Sequence, residues 1–153
     1  MGQHDLVVTS SGPEETRALG EKIGSRLRAG AVVALFGELG SGKTCLVQGV
    51  AAGLGVDPSV TVNSPSYVLI NEYPGRIPLF HFDFYRVHDW REVYDLGWDD
   101  YLERGGVIAI EWAERMNSLL PEEHIRIDLE ITGENSRSIR ISGDDIADHL
   151  CRQ

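Results

Sequence analysis

Apolar positions follow two rhythms along the chain. Residues 31–36 (Ala-Val-Val-Ala-Leu-Phe) and 107–110 (Val-Ile-Ala-Ile) are uninterrupted apolar runs, the pattern of strands covered on both sheet faces. Leu19, Ile23 and Leu27 instead recur at helical spacing. They mark one face of a helix that opens at Pro13-Glu14-Glu15-Thr16, is capped by Ser11 or Gly12, and closes near Gly30. A first strand is expected over residues 5–10, and a second helix over residues 45–52 that ends in Gly53-Leu54-Gly55. Residues 57–66 are rich in Pro, Ser and Asn and read as a loop, with room for a short strand at Val60 and Val62. A β-type run at 67–73 stops at Pro74-Gly75, which predicts a hairpin into a strand at 78–83. Residues 90–103 have a helical pattern interrupted by Gly97. Residues 125–131 and 138–141 form an expected antiparallel pair around Gly133-Glu134-Asn135, and residues 144–151 an amphipathic tail helix. No internal repeat, low-complexity tract or linker divides the 153 residues, so one domain over 1–153 is expected.

Charge narrows the range of partners. Lysine and arginine total 14 against 24 aspartate and glutamate, a formal net charge of −10. Phosphate backbones need clustered basic side chains, so independent binding to tRNA or DNA is not expected, nor is binding to anionic membranes. Residues 1–10 lack the basic start of a signal peptide, and no apolar run approaches a membrane span. Cys45 and Cys151 lie far apart without metal-type spacing, and Cys45 is expected at a buried helix position. These features fit a soluble cytoplasmic protein.

The chemistry concentrates at Gly37-Glu38-Leu39-Gly40-Ser41-Gly42-Lys43-Thr44, which fills every fixed position of the phosphate-binding P-loop between a strand and a helix. Glycines permit a tight turn whose N–H groups face phosphate oxygens, and the helix N-terminus favours negative charge. Lys43 is expected on the β- and γ-phosphates and the Thr44 hydroxyl on Mg²⁺. Cys45, one residue beyond, belongs to the same cradle. A P-loop also requires acids at the carboxyl ends of neighbouring strands. Asp83 and Glu111 stand there, Glu111 after the cleaner apolar strand and hence the expected metal partner with Thr44. The pattern alone leaves open which acid holds metal and which orients water, and either could be a helix cap.

Other candidates keep two readings each. Ser64-Pro65-Ser66-Tyr67 could sense a γ-phosphate from a switch-like loop, or be ordinary turn chemistry. Trp112, next to Glu111, could stack on a base, face a partner or pack in the core. His81 and His88 have no Cys or His cluster around them. In a strand His81 points away from Phe80 and Phe82, which favours a structural histidine over a metal ligand. Arg86 could meet phosphate or a local carboxylate.

The ordered set of P-loop, Ser64-Pro65-Ser66-Tyr67, His81-Phe82-Asp83-Phe84-Tyr85-Arg86 and Ile110-Glu111-Trp112-Ala113-Glu114-Arg115 resembles the bacterial TsaE (YjeE) family over residues 14–121. The P-loop alone is shared with many NTPases, whereas the combination is specific. The resemblance implies an α/β P-loop NTPase-like domain with a mixed central sheet flanked by helices. It implies ATP and Mg²⁺ as cofactors, Lys43, Asp83, Glu111 and Ser66 as catalytic residues, and Trp112 as a functional aromatic at the nucleotide. The family usually has threonine at position 66; Ser66 retains the hydroxyl but loses the methyl that restricts its rotamers. The implied partners are TsaB and TsaD, with ATP turnover resetting their complex between rounds of tRNA threonylcarbamoyladenosine synthesis while TsaD transfers the group. Two alternatives stand beside this ATPase reading. A small-molecule kinase would need a lid of arginines, for which only Arg86 and Arg115 are suggestive; a nucleotide-dependent binding module would bind ATP without releasing phosphate.

Overall fold

The two apolar runs become adjacent central strands of a seven-stranded sheet in the computed structural model, which describes residues 5–64, 70–143, 146 and 150. In chain order the elements are β1 (Leu6–Ser10), α1 (Pro13–Arg26), β2 (Val32–Phe36), α2 (Lys43–Gly53), β3 (Ile70–Tyr73), β4 (Leu79–Asp83), α3 (Trp90–Asp95), α4 (Trp98–Glu103), β5 (Val107–Glu111), a 3₁₀ segment (Ala113–Leu119), β6 (Ile125–Ile131) and β7 (Arg137–Ser142). The sheet order is β1-β7-β6-β2-β5-β4-β3. Strands β6, β2, β5 and β4 run parallel, and the antiparallel pairs β6–β7, β7–β1 and β3–β4 extend the sheet on either side. This is the mixed α/β architecture expected from the sequence.

Strand alternation divides the core into two. Val33 and Leu35 of β2 face α1 and α2, where Ile23, Leu46, Val50, Ile127 and Ile139 close one apolar cluster. Val32 and Ala34 face the other way, toward Phe82, Trp98, Ile108, Ile110 and Met116 beneath α3, α4 and the 3₁₀ segment. Covering both faces is why β2 and β5 carry no polar residue before their ends.

Helices α1 and α2 touch backbone to backbone. A Cβ on Gly49 would lie 2.1 Å from the Arg17 carbonyl oxygen, and one on Gly20 would lie 2.3 Å from that of Leu46. Gly24 and Gly53 continue this contact, so any side chain there would push the helices apart.

Several expectations are corrected. Helix α1 ends at Arg26 and not near Gly30, because Leu27 is already extended and drops into the core. Val60 and Val62 form no strand. Val62 is buried against α2, with its carbonyl taken by the Gln48 side chain at 3.0 Å, while Val60 is exposed. The 90–103 helix is two helices, α3 and α4, since Gly97 adopts a left-handed φ of 92° that ends one and starts the next. Cys45 is half-buried and not buried. Ser66, with the 65–69 portion of the loop and of the 67–73 run, lies outside the described residues. So does the tail helix over 144–151 except Ile146 and Leu150, which are buried on the α1–α2 side.

Candidate functional site

Loop 37–42 leaves the carboxyl end of β2 and enters α2 directly. Gly40 and Gly42 take left-handed φ values of 82° and 102°, which glycine reaches without steric cost. The Ser41 N–H closes the turn on the Glu38 carbonyl at 3.0 Å. Leu39 at the tip is exposed, whereas Ser41 is buried and its Oγ has no hydrogen-bond partner. Beside the loop opens a cleft of about 470 Å³ that takes in Lys43, Thr44, Cys45, Ser64, Asp83, Glu111 and Trp112. Of the sequence-predicted residues that can be described, all but Gly37 and Glu38 line this cleft, and those two turn their carbonyls to Lys43.

Parallel pairing places the two acids side by side. Asp83 of β4 is in register with Glu111 of β5, and both are buried at 3% exposure. The Thr44 hydroxyl donates to Glu111, at 2.9 Å from each carboxylate oxygen. Asp83 accepts the Tyr85 N–H at 2.9 Å through one oxygen and the Ser64 hydroxyl through the other. The acids are thus differentiated: Glu111 adjoins the hydroxyl at the start of α2, and Asp83 holds the segment leading toward residue 65.

Lys43 is also buried. Its ammonium donates to the carbonyls of Gly37 at 2.5 Å and Glu38 at 3.1 Å, and sits 4.1 Å from the centre of the Trp112 ring. Burial draws its pKa below the ordinary lysine value, while Glu111, then Glu114 and Asp83, oppose that shift by favouring the charged form. Trp112 is the one non-glycine residue with positive φ among the described residues, at 61°. That conformation costs an L-residue about 1–2 kcal/mol. It turns the chain out of β5 and lays the indole over the cleft, 5.0 Å from the Tyr85 ring. The Cys45 thiol donates to the Pro13 carbonyl at 3.2 Å, and burial pushes its pKa up, so it lines the site without a nucleophile's character. Arg86 lies exposed at the cleft edge.

The sequence reading missed what His81 does. Its Nε2 lies 2.6 Å from Glu111 Oε2 with the ring fully buried, and its Nδ1 has no partner. Part of the signal was available: His81 and Asp83 are two apart in β4 and share a face, which the β4–β5 register then brings to Glu111. Tyr85 and Arg137, which contacts the glycine loop, were missed too.

These residues suit a magnesium nucleotide. Among the described residues no three His, Cys, Asp or Glu side chains group as a self-sufficient metal cage. A hydroxyl at Thr44 and a carboxylate at Glu111 give hard oxygen donors of the kind Mg²⁺ takes alongside phosphate oxygens. The orphaned Ser41 hydroxyl, the helix N-terminus and the ammonium of Lys43 suit phosphate. No helix among the described residues is long and apolar enough to cross a membrane.

Comparison with known proteins identifies the family. Residues 10–139 match the family described as "Threonylcarbamoyl adenosine biosynthesis protein TsaE". The chain is similar to the tRNA threonylcarbamoyladenosine biosynthesis protein TsaE of Treponema pallidum, at 38% identity over 87% of this chain and 97% of that one. The Bacillus subtilis protein of the same description is 41% identical over 83% and 78% of the two chains, and the Nostoc protein 43% over 84% and 80%. The crystal structure of Bacillus subtilis YdiB superposes with a TM-score of 0.81 at 31% identity, covering 99% of this chain and 94% of its own.

Proposed function

The chain belongs to the TsaE family of threonylcarbamoyl adenosine biosynthesis proteins, and from that premise we propose that it is a Mg²⁺-dependent ATPase of cytoplasmic tRNA threonylcarbamoyladenosine synthesis, turning over ATP on a TsaB–TsaD complex. The observation that carries the reading is the meeting of Lys43, Thr44, Asp83 and Glu111 around one cleft at the carboxyl ends of parallel strands.

In this reading the N–H groups of loop 37–42 and the start of α2 hold the phosphates, and Lys43 sets its charge against the β- and γ-oxygens. Thr44 and Glu111 hold the metal, with His81 fixing the orientation of the Glu111 carboxylate. Magnesium, when bound, neutralises charge developing on the phosphate oxygens. Asp83 orients water against the terminal phosphate, its position set by the Tyr85 N–H and Ser64 hydroxyl. Ser66 contributes a hydroxyl from the loop outside the described residues. Trp112 covers the nucleotide. With a net charge of −10 the chain leaves tRNA to its partners.

The test is phosphate release from ATP with Mg²⁺, alone and with a TsaB–TsaD complex, for the native chain and Lys43→Ala. Strong stimulation by the complex, lost in Lys43→Ala by at least about a hundredfold, is the expected outcome. Unchanged hydrolysis in Lys43→Ala overturns the assignment.

A further inference from the structure

Arg137 opens β7, outside every motif the sequence offers, yet its guanidinium reaches across to the glycine loop. Nε donates to the Ser41 carbonyl at 3.1 Å and Nη2 to the Gly40 carbonyl at 3.0 Å. Nη1 donates to the carbonyls of Gly133 and Ser136 in the β6–β7 turn, at 3.1 and 2.8 Å. The side chain is half-buried and enters none of the ion pairs among the described residues. All its hydrogen bonds go to backbone oxygens, two on each of two loops.

The consequence follows from peptide geometry. In a planar trans peptide the C=O and N–H point in opposite directions. The Gly40–Ser41 unit turns its oxygen to Arg137 and its N–H to the Glu38 carbonyl, closing the turn. The Ser41–Gly42 unit also turns its oxygen to Arg137, so the Gly42 N–H faces the other way. Gly40 and Gly42 line both the cleft and a smaller depression of about 170 Å³ that contains Arg137, so the loop is the wall between them. The N–H opposite Arg137 is therefore on the cleft side. Gly42, on one side of this peptide, has freedom on either side of φ = 0, and rotating the peptide would aim the Ser41 oxygen at an incoming anion.

We propose that Arg137 is a positioning residue that locks the Gly40–Ser41 and Ser41–Gly42 peptides with their oxygens turned away from the cleft, holding the loop ready for phosphate. This rests on the reading of the cleft as a nucleotide site. A lysine keeps the charge but lacks the fork that engages two adjacent carbonyls while bridging to a second loop.

The experiment uses the full chain with Arg137→Met and Arg137→Lys, measuring Mg-ATP affinity by calorimetry, KM and kcat with TsaB–TsaD, and melting without nucleotide. Losing charge-assisted bonds to the loop is expected to raise Kd and KM about tenfold in Arg137→Met, with kcat within about twofold. Arg137→Lys is expected to recover only part of the affinity, and both variants to melt cooperatively. Native Kd and KM in both variants overturn the proposal, as does a fall in kcat at unchanged KM. Loss of cooperative melting in both makes Arg137 a residue of the fold and also overturns it. Failure of the nucleotide reading is seen separately, in a native chain that binds no Mg-ATP.

Discussion

The two faces of the sheet are built by opposite means. On one, α1 and α2 meet through glycines with no side chain between them, and α2 starts at Lys43. On the other, two six-residue helices and a 3₁₀ turn rest on a cluster of large rings, with Phe82 edge-on to Phe84, Trp98 and Tyr101. Backbone contact leaves a helix no room to tilt, whereas aromatic packing stabilises through area and tolerates adjustment. The glycine face thus fixes where α2 begins and also bears Asp83 and Glu111, whereas the aromatic face supplies the strained turn at Trp112. Positioning accuracy and bulk stability come from different sides of one sheet.

The largest effect that tests this division is expected from Trp98→Ala. The indole is 1% exposed and its N–H bonds to the Leu119 carbonyl at 3.2 Å, so its removal is expected to cost about 3–5 kcal/mol by denaturant unfolding. ATP affinity of the folded fraction is expected to hold; a large loss would give the aromatic face a share in positioning. Gly49→Ala is expected to cost less stability, about 1–3 kcal/mol, because one methyl is forced against a carbonyl. It is nevertheless expected to weaken Mg-ATP binding in calorimetry, since α2 must shift; unchanged affinity would remove the claim that the glycine contact sets the site.

The smallest effect concerns Lys43, which joins the faces by lying over Trp112. Its pKa is lowered on folding, chiefly by burial. Between the folded and unfolded values the unfolded chain holds the extra proton, so this group makes stability rise with pH in that alkaline window and contributes no slope below it. Subtracting the stability of Lys43→Met from that of the native chain across that window should leave a small positive slope. A flat or negative difference would place the ammonium in a better-solvated setting.

Much of this was legible from local pattern. The runs at β2 and β5, the loop between strand and helix, and acids at strand ends each need only a short stretch of sequence, and each appears where expected. The β6–β7 pair was legible from its turn. What escaped depended on tertiary placement. His81 could be assigned to a face, but its bond to Glu111 needed the β4–β5 register. Val62 has strand character yet packs as loop, because α2 offers it a buried seat and a hydrogen bond. Arg137 gave no local sign, since its partners in the glycine loop are about a hundred residues away in sequence and belong to backbone. Gly20, Gly24, Gly49 and Gly53 did give one, a four-residue repeat in each helix, but it becomes meaningful only once the helices are known to touch.

The strand order also carries a consequence for how the molecule is born. Synthesis runs from the amino end, so β2 and its loop leave the ribosome long before β5, β6 and Arg137, which flank and brace them. Strand β1 waits longer still, because its neighbour is β7. A nascent chain thus carries the whole glycine loop while lacking the neighbours that hold its shape. A ligand that recognises only the finished loop adds its stabilisation at the closing step of folding, favouring completed molecules over partial ones.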